Sequence, residues 1–147
     1  MTAFLLDSNV LIALAWPAHE AHARVQQWFA RNSKQGWATC PMTQVAFVRI
    51  LSNPSFSPHA VTPQEALNVL GANLQHTGHQ FWRDEISVLE ALKRFEGRIV
   101  GHLQVTDAYL LGLALHKNGR LATLDKSVGA LLPEGSPERG RIETLSL

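Results

Sequence analysis

The chain has 147 residues, 46% apolar and 17% charged, with a net charge of +1 at neutral pH. That length sustains one domain with a sizeable core, and the near-neutral balance argues against a protein that coats nucleic acid through bulk charge. A single cysteine, Cys40, excludes an internal disulfide and a thiolate zinc site and suits a reducing cytoplasm; no leader-like segment opens the chain, and the longest apolar run, Val10 to Trp16, is too short to cross a bilayer.

Ala3-Phe4-Leu5-Leu6 is a continuous apolar run ending in Asp-Ser-Asn, as expected for a strand buried on both faces. Val10 to Ala15 reads as a short helix broken by Pro17. Ala21, Val25, Trp28 and Phe29 then recur at helical spacing within His19 to Ala30. After Gly36, Trp37 to Cys40 reads as a second strand stopped by Pro41, and Thr43 is placed to cap a helix carrying Val45, Phe47, Val48 and Leu51. Asn53 to Pro58 is a loop. Thr62-Pro63-Gln64-Glu65 is a capping box with proline at the first helical position, opening a helix to about Gln75.

His79 to Trp82 is a further short strand and Ser87 to Arg94 a helix. Gln104 to His116 is the most apolar helix, ended by Asn118-Gly119; Leu121 to Leu124 is the next buried strand and runs into Asp125. A short helix from Lys126, a loop over Pro133 to Gly140 and a strand over Ile142 to Leu145 complete the chain. This alternation predicts an α/β fold, a single domain over residues 1–147. Its mostly parallel central sheet is sandwiched between helical layers in a three-layer arrangement.

Charge is unevenly spread. No acidic residue falls between Glu20 and Glu65, where Arg24, Arg31, Lys34 and Arg49 all lie, so a local phosphate-binding face is an open expectation. The apolar excess points either to a partner or self-association interface or to a well-filled core.

In open parallel sheets, ligands bind beyond the carboxyl ends of the strands. Asp7 and Asp125 stand at two such ends, and Asp107 falls in the first turn of the most apolar helix. Singly, each reads as a helix cap or first-turn acid. Together, three carboxylates within about 4–5 Å of one another would repel strongly unless protonated or neutralised by a cation. An all-oxygen donor set suits Mg²⁺ or Mn²⁺, and such a site is equipped for phosphodiester hydrolysis. Ser8 and Asn9 are placed to orient Asp7 or a bound water, Thr106 to orient Asp107, and Thr123 to orient Asp125.

The residues Phe4-Leu-Leu-Asp7-Ser-Asn9, Thr106-Asp107-Ala108-Tyr109 and Ala122-Thr-Leu-Asp125, in this order, resemble the PIN-domain nucleases. Trp37-Ala-Thr-Cys-Pro41, Phe47-Val-Arg49, Leu51-Ser-Asn-Pro54 and Gly101-His102 extend the similarity to VapC-type toxins of bacterial toxin–antitoxin modules, in a branch common in mycobacteria. The resemblance implies a PIN-like fold and a Mg²⁺- or Mn²⁺-dependent endoribonuclease. It also implies structured RNA, often transfer or ribosomal, as substrate, a VapB-type antitoxin that blocks the acidic site, and a homodimer. It makes Asp7 and Asp107 the principal metal ligands, with Asp125 the last acid of the set, and brings Arg49 and His102 near the acidic face as RNA contacts.

One departure stands out: the position where these domains commonly carry an acid falls on Gln44, a neutral weak ligand that would not balance a second divalent ion. Asp84 and Glu85 are an alternative source of that charge, though solvated loop acids are the simpler reading. Gln44 also leaves open a binding module that holds RNA or an antitoxin without cutting. An aspartate-based phosphatase fits less well, because Asn9 stands where those enzymes carry a second aspartate. Seven histidines do not make a zinc site, since His19 with His22 and His76 with His79 lack a third ligand at ordinary spacing. Trp16, Trp28, Trp37 and Trp82 read mainly as packing residues, with one or two left to stack on unpaired bases.

Overall fold

The computed structural model describes residues 2–145 of the chain. Five short strands, β1 (Phe4–Leu6), β2 (Trp37–Thr39), β3 (His79–Phe81), β4 (Arg120–Thr123) and β5 (Ile142–Thr144), form one sheet in the order β3-β2-β1-β4-β5. Every pairing is parallel. Six α-helices cover it: α1 (Ser8–Ala15), α2 (His22–Asn32), α3 (Pro41–Leu51), α4 (Pro63–Asn73), α5 (Val88–Lys93) and α6 (Val105–His116).

Strand alternation sorts the core into two layers. Phe4 and Leu6 point into a layer shared with Val10, Val25, Phe29, Phe47 and Leu70 from α1 to α4. Leu5 points the other way, among Ala91 of α5, Phe95 in the turn after it, and Leu111 and Leu115 of α6. Helix α6 is apolar all round because it is buried all round, from Ala108 to Leu115. Gly112 lets it approach α5: a Cβ there would stand 2.8 Å from both Cβ and the carbonyl oxygen of Ala91. No helix among the described residues is long and apolar enough to cross a membrane.

The local signals set the element starts with small displacements. Asp7 itself caps α1, which therefore begins at Ser8 and not at Val10. Cys40, not Thr43, is the N-cap of α3, because Pro41 takes the first helical position; Thr43 accepts the Cys40 amide on its Oγ1 at 3.1 Å from inside the first turn. Helix α6 ends in a Schellman turn. Asn118 adopts φ 58°, its amide reaches the Leu115 carbonyl at 3.1 Å, and the Gly119 amide reaches Ala114 at 2.8 Å. The stretch expected as a loop after Pro133 contains a 3-10 turn over Pro137–Arg141, capped by Ser136.

The topology determines where α6 begins. It feeds directly into β4, whose direction is parallel to the other strands, so its first turn lies at the carboxyl ends of the strands. The chain reverses its order of addition between β1 and β4, the crevice where open sheets bind ligands.

Candidate functional site

Asp7 leaves β1 at that crevice and is only 4% exposed. Its carboxylate is held on both oxygens. Oδ1 accepts the Ser8 amide at 2.7 Å, and Oδ2 accepts the Thr123 hydroxyl at 2.8 Å from the end of β4. Burial nonetheless raises its pKa, against the pull of those hydrogen bonds and with a smaller push from Asp125. Asp125 begins the turn after β4; its amide donates to Thr123 Oγ1 at 3.1 Å, and its own Oδ1 accepts the Ser127 amide at 2.8 Å. Thr123, fully buried, thus joins two of the three acids through one hydroxyl. Its proton goes to the Asp7 carboxylate, and it meets Asp125 through the backbone amide and not through the carboxylate.

Asp107, in the first turn of α6, is partly buried, and its pKa is pushed up to about 7. Burial is the main cause, followed by the negative charges of Asp7 and then Asp125. The three aspartates therefore share one electrostatic site. They do not form the tight cluster expected: among the described residues, no three His, Cys, Asp or Glu side chains stand close enough to grip one ion by themselves.

Asn9 does not reach Asp7. Its Oδ1 accepts the Leu124 amide at 3.2 Å, tying α1 to the end of β4; Ser8 is the residue that supports Asp7. Gln44 gives its amide nitrogen to Thr39 Oγ1 at 2.9 Å, and Thr39 is in turn 2.7 Å from His79 Nε2. This chain of polar groups lies at the carboxyl end of β2, and burial lowers the His79 pKa.

Thr106 and Arg49 are exposed and line one hollow with Asp84; His102 is exposed on the turn that precedes α6. Glu85 is committed elsewhere, to Lys117 at 2.9 Å. Of the expected basic face, Arg24 is spent on the Leu145 carbonyl at 2.6 Å, while Arg31 and Lys34 lie where α2 returns to the amino end of β2. Trp28, Trp37 and Trp82 are buried. Trp16 is half-buried against the exposed Phe56, with ring centroids 5.2 Å apart. His19 accepts the Ala21 amide, and His22 bonds the Ala13 carbonyl, so neither histidine of that pair is spare.

Sequence reasoning named Asp84 as an alternative source of charge and favoured a solvated loop acid; Asp84 is exposed. What it lacked was the anchoring of the loop: Trp82 and Ile86 are buried on either side, and the Tyr109 hydroxyl from α6 donates to the Ile86 carbonyl at 3.0 Å.

Residues 4–130 match the PIN-domain family model. The chain is 45% identical over 127 residues to Ribonuclease VapC38 of Mycobacterium tuberculosis, covering 86% of this chain and 88% of that protein. To Ribonuclease VapC39 of the same organism it is 41% identical over 145 residues, covering 99% and 100%. Among solved structures, it superposes on a chain from VapBC2 of Rickettsia felis, crystallised bound to a DNA fragment from its promoter. The TM-score is 0.61, coverage is 97% and 98%, and identity is 13%, a likeness of fold.

Proposed function

Because the chain belongs to the PIN-domain family, and its relatives over most of its length are VapC ribonucleases, we propose that it is the toxin of a toxin–antitoxin module, an endoribonuclease that cuts cellular RNA and stops translation. The observation that carries the reading is the coupling of Asp107 to Asp7 and Asp125 at the β1/β4 crevice.

The donors fit a hard divalent cation. They are all carboxylate oxygens, and the upward push on Asp107 is what a positive charge between the three would relieve. Asp7, Asp107 and Asp125 would hold Mg²⁺ or Mn²⁺ partly through bound waters, since the three do not converge closely enough to grip the ion alone. When bound, the ion supplies Lewis acidity toward a phosphodiester and lowers the pKa of an attacking water. The protein's own part is positional. Thr123 and the Ser8 amide hold Asp7 in one orientation, while Asp107 adapts by giving up its proton near neutral pH. Arg49 and His102, both exposed, are the side chains that contact the RNA. Gln44 supplies no charge, so one cation is held tightly and any second arrives with the RNA.

The partners of this reading are a VapB-type antitoxin and a second copy of the chain. Ten large apolar side chains exposed among the described residues, including Leu89, Val100 and Leu103, offer the surface for them.

Incubating RNA with Asp7→Asn and Asp107→Asn proteins in Mg²⁺ or Mn²⁺ tests the mechanism. Each variant is expected to lose at least about a hundredfold in rate; cleavage at the wild-type rate by either would overturn the aspartate site.

A further inference from the structure

Between α3 and the start of α6 lies an open hollow of about 380 Å³, within the size range of ligand sites. Pro41, Met42 and Val45 form its apolar wall, and Arg49, Asp84 and Thr106 its polar lining. Met42 and Val45 are 37% and 65% exposed, so apolar surface is left facing water. Arg49 and Asp84 face the same space, yet among the described residues neither makes an ion pair or a side-chain hydrogen bond. Two opposite charges that share a hollow without meeting leave a gap for a group presenting donors to one and acceptors to the other. Thr106 places that gap immediately beside Asp107.

We propose that this hollow binds an unpaired guanine of the RNA substrate, with Asp84 and Arg49 reading its edge and Met42 and Val45 covering its face. The proposal rests on the ribonuclease reading and deepens it. A carboxylate only accepts and a guanidinium only donates. Guanine alone among the four bases presents two adjacent donors, N1–H and the 2-amino group, next to two acceptors, O6 and N7. Adenine, cytosine and uracil each lack one of these pairs. The flat apolar wall suits a base splayed out of a single strand. Asp84 is held ready for this contact, since its loop is anchored through Trp82, Ile86 and the Tyr109 hydroxyl.

The test measures binding and cutting separately. Fluorescence anisotropy with wild-type protein in chelator compares uridine pentanucleotides bearing central guanine, inosine, adenine or cytosine. Guanine is expected to bind about tenfold or more tightly than inosine, which lacks the 2-amino donor. In Asp84→Ala and Arg49→Ala proteins, both changed at exposed positions, the ratio of guanine to adenine affinity falls toward one. Equal affinity for guanine and inosine, a guanine preference that survives Asp84→Ala, or cytosine as the preferred base overturns the proposal. The same oligonucleotides, and total cellular RNA beside them, are then incubated with Mg²⁺. Guanine selection without cutting would leave this assignment standing and sink the ribonuclease reading; cutting without base selection would do the reverse.

Discussion

At the scale of single residues, the site depends on one buried hydroxyl. Thr123 donates to Asp7 and accepts from the Asp125 amide, so Thr123→Val keeps the shape and removes both bonds. We expect a loss of about 1–3 kcal/mol in chemical denaturation, the cost of leaving buried groups unpaired. RNA cleavage should fall more than Tm does, because Asp7 loses its orientation; a variant as active and as stable as wild type would remove Thr123 from the site. Gln44 makes a second prediction. Its amide donates to Thr39, whose hydroxyl also pairs with His79 Nε2 at 2.7 Å. Gln44→Glu turns that donor into an acceptor, so Thr39 must turn toward Glu and His79 must supply the proton. The His79 pKa, lowered by burial in wild type, should rise in the variant when followed by NMR. The same variant decides whether Gln44 limits catalysis, since a restored charge should strengthen metal-dependent cleavage.

At the scale of elements, the close crossing of α5 and α6 positions the first turn that carries Asp107. A methyl at Gly112 would collide with the Ala91 backbone and side chain at 2.8 Å. Gly112→Ala would gain helix propensity, but overpacking is expected to dominate and cost a net of about 1–3 kcal/mol, read as a lower midpoint in urea. A stability equal to wild type would show that the two helices can separate freely. Most element starts were legible in the sequence. The capping box at Thr62, the helix start at Ser87 and the Asn118-Gly119 stop act within a few residues, so their chemistry can be read without the fold. The misplaced start of α3 has the same local origin: both Cys40 and Thr43 take part in the cap, and only the backbone shows which one stands outside the helix.

At the scale of the whole molecule, the acidic crevice trades stability for function. Between about pH 4 and 7 the folded chain keeps a proton on Asp107 that the unfolded chain has released. That contribution to stability is complete at low pH and is lost as pH rises through about 7. Without metal, Asp107→Asn should therefore match wild type near pH 4 and be the more stable protein at pH 8. The gain should be on the order of 1–2 kcal/mol, after solvent screening at a partly exposed carboxyl reduces it. Mg²⁺ or Mn²⁺ should raise the wild-type Tm at pH 8 and lose that effect toward pH 5, where protons compete for Asp107. Thermal melts across this range check the idea, and a wild type more stable than Asp107→Asn at pH 8 without metal would overturn it.

The sequence by itself determined the α/β class, the three aspartates as candidates and the family resemblance, because strand runs, caps and short motifs are written in neighbouring residues. Only the tertiary structure decided that β1 and β4 lie side by side and that α6 begins at their carboxyl ends. It alone placed Thr123 on Asp7, across 116 positions of chain, and tied Asn9 to the Leu124 amide. It also separated Asp84, facing Arg49 across a hollow, from Glu85, bound to Lys117. Strand order follows from how two apolar layers close around the sheet, and no local spacing records which distant side chains that closure brings together.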